Sequence, residues 1–251
     1  MTTTLSPNLL ADLLDPIIGR ELDRLDIRPG HRVLDIGAGT GSITARLARL
    51  VGPHGTVSAV DRDTGYLNPT SVIDVYQRTL DADALPGDPY SHHLVIARWP
   101  HPLDDPASVL DQLTVRLRPG GRLVLADITP TSPRIYRATG DDTDGHLIHT
   151  VMQWIQGTVS NPGGGTWGAD VDALLLGNRM TQVCVHTGTE TWAGGGKGCR
   201  LLADTVQHLG PALTSSGITT DELDRFTALM GHARVVLGSF ERRVICARKV
   251  T

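Results

Sequence analysis

Three glycines at alternate positions, Gly37, Gly39 and Gly41, follow directly on the short apolar run Val33-Leu34-Asp35-Ile36. A second apolar run, residues 56–60, ends in Asp61. Glycines let a backbone turn sharply and pass close to a bound molecule, and a carboxylate closing the next strand is placed to accept both hydroxyls of a ribose. The chemistry these residues offer is therefore recognition of a nucleoside. A dinucleotide fingerprint would bring its third glycine one position later, where this chain has Ser42, so no pyrophosphate is implied.

The elements that must position these groups can be read around them. Ile43, Leu47, Leu50 and Val51 recur at helical spacing, so the stretch reads strand, glycine turn, helix, with free backbone N–H groups aimed above the strand. Further strands are expected at 72–76, 94–98, 123–127, 180–190 and 235–248, and a helix at 107–117. Residues 9–27 carry a leucine and isoleucine stripe broken by Pro16, which predicts two short helices. Residues 129–144 are polar and proline-broken, a helix resumes at Leu147, and the glycine-rich loop 161–165 follows. Two more helices fill the stretch before the last strand, the second opening at Thr219 and Glu222, which stand at capping-box separation.

With these motifs in order, the chain resembles the class I S-adenosylmethionine-dependent methyltransferases. Asp35, Gly37, Gly39, Gly41 and Asp61 match that family's D/E-x-G-x-G-x-G strand and its second-strand acid; Asp81-Ala82-Asp83-Ala84-Leu85-Pro86 and Leu117-Arg118-Pro119-Gly120-Gly121 match two later motifs. The strings D-R-D-T-G-Y-L, T-W-G and W-A-G-G-G are similar to a group of actinobacterial methyltransferases of secondary metabolism. The resemblance implies an α/β, Rossmann-like seven-stranded sheet, mostly parallel with its last strand antiparallel, helices on both faces and helical lid insertions. It also implies S-adenosyl-L-methionine as cofactor and S-adenosyl-L-homocysteine as product. Carried onto this chain, Gly37, Ala38, Gly39 and Gly41 would allow the cofactor's close approach, and Asp35 would fix its methionine end. Asp61, with Arg62 beside it, would hold the ribose; Leu67 would lie against the adenine; Asp83, with Ala84, would meet the adenine amine; Arg98 would border the transferring methyl.

Ligands of a parallel sheet bind beyond the carboxyl ends of its strands. His92 and His93 precede the fourth strand, at the wrong end, whereas Arg98, Trp99 and His101 follow it. His101 is thus the candidate general base for a hydroxyl or ammonium acceptor. Aromatic residues make up only 4% of the chain, and Trp99, Trp154 and Trp167 are the candidate acceptor contacts. His146 and His149 lie near Asp141, Asp142 and Asp144, but at no recognised ligand spacing, and no metal is expected.

At 251 residues and 40% hydrophobic content, one domain is expected: an N-terminal helical cap (1–28), a cofactor-binding core (29–128) and lid insertions (129–170 and 193–232). A net charge of −4 without Lys/Arg runs disfavours nucleic acid, and no long apolar run predicts a membrane partner. A cytoplasmic protein with three reduced cysteines and a small-molecule substrate, a natural-product intermediate, is the expectation. The late helical pair would complete the substrate pocket or form a homodimer contact. Two rivals remain open at this stage: a cofactor-binding cyclase or decarboxylase of the same fold, and a non-catalytic partner subunit.

Overall fold

A computed structural model describes residues 7–80, 83–98, 103, 105–129, 134–159 and 171–251. In chain order the elements are α1 (Pro7–Arg24), β1 (Arg32–Ile36), α2 (Ser42–Val51), β2 (Thr56–Asp61), β3 (Ile73–Gln77), β4 (His92–Arg98), α3 (Pro106–Arg116), β5 (Leu117–Thr129), β6 (Ile135–Arg137), α4 (Asp142–Val159), α5 (Val171–Gly177), β7 (Met180–Gly188), β8 (Thr191–Ala193), α6 (Lys197–Ser215), α7 (Thr220–Gly231), β9 (Val236–Gly238) and β10 (Glu241–Lys249). They form two compact units. Of the described residues, those within 14–128, 171–187 and 242–251 make up the sheet unit, and those within 7–13, 129–159 and 188–241 the helical unit.

The sheet unit is built on seven strands in the order β3-β2-β1-β4-β5-β10-β7. β1 pairs in parallel with β2 and β4, β2 with β3, and β4 with β5. The last strand is antiparallel to β7: the Arg179 carbonyl accepts from the Val250 amide while the Thr181 hydroxyl donates to the Arg248 carbonyl, and on its other side the Arg243 guanidinium holds Asp127 of β5. The chain steps outward from β1 to β3 and then returns to lay β4 on β1's other side. This reversal opens a crevice at the carboxyl ends of β1 and β4, the position where such sheets receive ligands.

Alternating strand residues feed two cores. Leu34, Ile36, Val95, Ala97, Leu123 and Leu125 pack on the α3 and α5 side; Val33, Val57, Leu94, Ile96, Val124 and Ala126 pack with α2 and α1. α1 is one helix, not the two expected from Pro16. Pro16 falls on its exposed side, and burial of Leu14, Ile18 and Leu22 offsets the roughly 3 kcal/mol that an internal proline costs.

The helical unit packs α4, α6 and α7 around Ile148, Val151, Leu202, Leu209 and Phe226. α7 opens on the expected capping box: Thr219 accepts from the Glu222 amide, and the Thr219 backbone N–H and hydroxyl hold the Glu222 carboxyl below its ordinary range. A three-stranded sheet, β6-β9-β8, was not foreseen, because strands of three residues are too short to show a period. The expected seventh strand, 235–248, is accordingly two: β9 belongs to this small sheet and β10 to the large one. Trp192 of β8 meets Phe240 edge-to-face at 5.5 Å, and its indole lies so close over Gly198 that a Cβ there would come within 2.0 Å of the ring.

β4 begins two residues earlier than expected, so His92 and His93 are its first residues, still at the amino end away from the crevice. His93 stacks on His31 at 4.1 Å, and each ring accepts a backbone amide through Nδ1. Burial first, then neighbouring cationic groups, pushes both His92 and His93 down from 6.5 to about 4. The folded state therefore binds fewer protons than the unfolded state between these values. The stability these rings contribute is fully present above pH 6.5 and is lost as the pH falls towards 4. We expect the melting temperature to fall between pH 7 and pH 5, and His93→Gln to flatten that slope; an unchanged slope in the variant would contradict the assignment.

Candidate cofactor site

The glycine turn leaves β1 with Gly37, Gly39 and Gly41 all at positive φ, 68°, 55° and 78°. Gly37 is the most constrained. A Cβ on it would lie 1.8 Å from the Arg98 carbonyl oxygen, so the ends of β1 and β4 can touch only where no side chain intervenes. The Gly37 and Ala38 amides donate to the Val60 carbonyl at 2.9 and 3.2 Å, tying the turn to β2. Gly41 caps α2 without any side-chain hydrogen bond, leaving the helix's first turn to be satisfied from outside.

Asp35 is fully buried. One oxygen accepts from Thr44 Oγ1 at 2.6 Å and the other from the Arg98 guanidinium at 2.8 Å. Arg98 is only 7% exposed, and its Nε–H finds no hydrogen-bond partner among the described residues. A second arm of Arg98 lies 3.8 Å from Asp15 of α1, which also takes the Ser42 hydroxyl. The cluster is thus two carboxylates, a guanidinium and two hydroxyls at the strand ends. Sequence reading named Asp35 and Arg98 separately but not their pairing. It missed Asp15, Ser42 and Thr44, whose side chains meet only through the sheet order.

Asp61 is half-buried at the end of β2. Its carboxylate accepts from the Gly39 amide at 2.8 Å and the Asp63 amide at 3.0 Å, which aligns it beside the glycine turn with lone pairs remaining on both oxygens. Arg62 follows, its carbonyl taken by Gln77. Leu67 is 8% exposed and fills a small apolar cluster with Ala38 and Ala59, against the turn. Asp83 is exposed and accepts the Thr79 amide at 2.6 Å, and Ala84 beside it is exposed. Glycine turn, Asp35, Asp61 and Arg98 are therefore brought together by adjacent strands, with Leu67 packed against the turn. His101, Trp99 and Trp167 lie outside the described residues.

In the helical unit, Trp154 packs half-buried on the α4–α6–α7 core. Two of the three acidic residues considered for a metal are engaged by a cation: Arg225 bonds Asp144 at 2.7 Å and Asp141 at 3.2 Å, and hydrogen bonds from Thr143 hold the Asp141 carboxyl low. A hollow of about 550 Å³ lies beside them, lined by Ile135, Arg137, Gly140, Asp142 and His146.

The comparisons bear on this site directly. The protein-L-isoaspartate(D-aspartate) O-methyltransferase family model matches residues 15–80, from Asp15 through the glycine turn to Asp61 and β3. A protein-L-isoaspartate O-methyltransferase of Aeropyrum pernix is 36% identical over 127 residues, 45% of each chain. A ubiquinone/menaquinone biosynthesis C-methyltransferase of Hahella chejuensis is 32% identical over 151 residues, 52% of this chain and 59% of that one. The chain thus matches about half the length of these relatives. The crystal structure of a candidate methyltransferase from Bacillus halodurans superposes with a TM-score of 0.57 at 18% identity, over 93% of this chain and 99% of the other. The fold is a methyltransferase fold. A phosphoethanolamine N-methyltransferase of Haemonchus contortus, solved with phosphomonomethylethanolamine and S-adenosylhomocysteine, shares it at a TM-score of 0.51 and 12% identity, over 92% of this chain and 51% of that one.

The buried pair at the strand ends yields a stability test. Removing one partner leaves the other charge buried and alone, so Arg98→Met should cost about 3–5 kcal/mol in urea unfolding. The double variant Asp35→Leu with Arg98→Met should cost less than the sum of the singles. Strict additivity would show that the two groups do not support each other.

Proposed function

We propose that this protein binds S-adenosyl-L-methionine at the carboxyl ends of β1, β2 and β4 and transfers its methyl group to a small-molecule acceptor. The observation that carries the reading is Asp61: its carboxylate is aligned by the Gly39 and Asp63 amides directly beside three left-handed glycines, an arrangement suited to a ribose. The two sequence relatives described above, both methyltransferases by name, support it.

The residues present fit this cofactor's groups. Arg98 offers a buried, unpartnered Nε–H to the carboxylate of the methionine end, and Asp35 acts through Arg98 by holding its guanidinium in place. The uncapped first turn of α2 offers backbone N–H groups to the same end. Asp61 takes the ribose hydroxyls with Arg62 at its side, Leu67 borders the adenine and Asp83, next to Ala84, meets its amine. The bound cofactor supplies an activated methyl and a good leaving group, so the protein's work is to orient the acceptor and keep water out. His101 remains the proposed base, and Trp99, Trp154 and Trp167 the proposed acceptor contacts. A natural-product acceptor, residence in the cytoplasm and a possible homodimer belong to the same proposal. Among the described residues no helix is long and apolar enough to cross a membrane.

Calorimetric titration with S-adenosylhomocysteine tests the cofactor. We expect micromolar binding by the unmodified chain, weakened roughly 10- to 100-fold by Asp61→Ala through loss of charge-assisted hydrogen bonds. Equal affinity in both proteins would overturn the assignment of Asp61. With an accepted substrate, product mass decides between transfer, which adds one methyl group, and a rearrangement that adds none.

A further inference from the structure

Away from the glycine turn, a second group of reactive side chains meets on the sheet unit. Cys184 Sγ lies 3.0 Å from His186 Nε2, and His186 Nδ1 lies 2.8 Å from Glu21 Oε1 of α1. The carboxylate lies nearer to Nδ1, at 2.8 Å, than the Arg24 guanidinium, at 3.4 Å, which favours the tautomer with its proton on Nδ1 and the Nε2 lone pair facing the Cys184 thiol. Glu21 is nearly buried and fixed from a second side by Arg24, whose guanidinium sits 2.6 Å from the same oxygen and 3.4 Å from the His186 ring. The order is nucleophile, base, orienting carboxylate, the arrangement by which proteins activate a weak nucleophile.

The fold builds this group deliberately on one face. Met180 and Val183 both pack into the α3-side core although three residues apart, so strand alternation is broken between them. The break coincides with Gln182, which adopts φ 52°, a left-handed conformation unusual for a residue with a side chain. Beyond it, Cys184 and His186 turn to the α1 face, where Glu21 and Cys246 lie. β7 ends the sheet order, and Cys184 is exposed there.

We propose that Cys184 is a selectively reactive thiol that undergoes exchange with low-molecular-weight disulfides, with His186 as its general base and Glu21 as the positioning carboxylate. In the step, Nε2 of His186 takes the thiol proton as sulfur attacks one sulfur of the disulfide. A new S–S bond forms on Cys184, the original S–S bond breaks, and the leaving thiolate recovers the proton from the imidazolium. Cys184 is oxidised to a mixed disulfide and one half of the reagent is reduced to a thiol, so no further oxidant is needed.

The other two cysteines are poor competitors. Cys199 is fully buried in the helical unit, which pushes its thiol up to about 11. Cys246 is pushed up to about 12, by burial first and then by the Glu21 carboxylate, whose other oxygen lies 3.9 Å from its sulfur.

The experiment treats the reduced, full-length chain with oxidised glutathione at pH 7, and maps the modified peptide by mass against time. We expect a mixed disulfide on Cys184 before either other cysteine reacts, formed faster than on a cysteine in a short unstructured peptide. His186→Gln should slow it at least about tenfold with the fold retained, because a glutamine amide can still donate to the Glu21 carboxylate from this half-buried position. Glu21→Gln should slow it less. An unchanged rate in His186→Gln, or a rate equal to the peptide's, would overturn the proposal. Modification of Cys246 first would do so as well.

Discussion

The ion pair between Asp35 and Arg98 is the constraint on which the site depends. It ties the carboxyl ends of β1 and β4 at the point where the sheet order reverses, and it does so with both groups out of water. Such a pair is costly to bury and earns little stability unless its remaining hydrogen-bonding groups are satisfied. Thr44 satisfies one Asp35 oxygen, while the Arg98 Nε–H has no hydrogen-bond partner among the described residues. The backbone completes the arrangement. The Arg98 carbonyl leaves no room for a side chain on Gly37, and the left-handed turn that begins there brings the Gly39 amide to Asp61.

α1 links this cluster to the second reactive group. Asp15 approaches Arg98 near one part of the helix, and Glu21 meets His186 about one and two-thirds turns further on. An unbroken helix is needed for this, which gives physical meaning to the tolerance of Pro16: two helices with a bend between them would not hold both carboxylates in one frame.

Much of the sheet unit was legible in the sequence. Val33-Leu34-Asp35-Ile36, Leu94 to Ala97 and Leu123 to Ala126 are buried on both faces, so they appear as continuous apolar runs, and the glycines mark the turn without ambiguity. Asp61 could be named because it ends such a run. What escaped was whatever depends on pairing distant segments. Asp15 with Arg98, and Glu21 with the Cys184–His186 pair, are separated by scores of residues and carry no common period. β6, β8 and β9 are each three residues long, and their identity as strands comes only from one another. The bulge at Gln182, which decides the face Cys184 takes, has no signature in a residue type that normally avoids positive φ.

The account's central claim is that a nucleoside-bearing cofactor is held by the glycine turn and Asp61. Hydrogen–deuterium exchange of the chain with and without S-adenosylhomocysteine tests it most directly, because a ligand that closes on these amides must slow their opening. The account predicts slowed exchange in peptides covering residues 36–44 and 60–67, with the amino end of β4 and its stacked histidines unchanged. Protection confined to other segments, or none at all under saturating ligand, would contradict it.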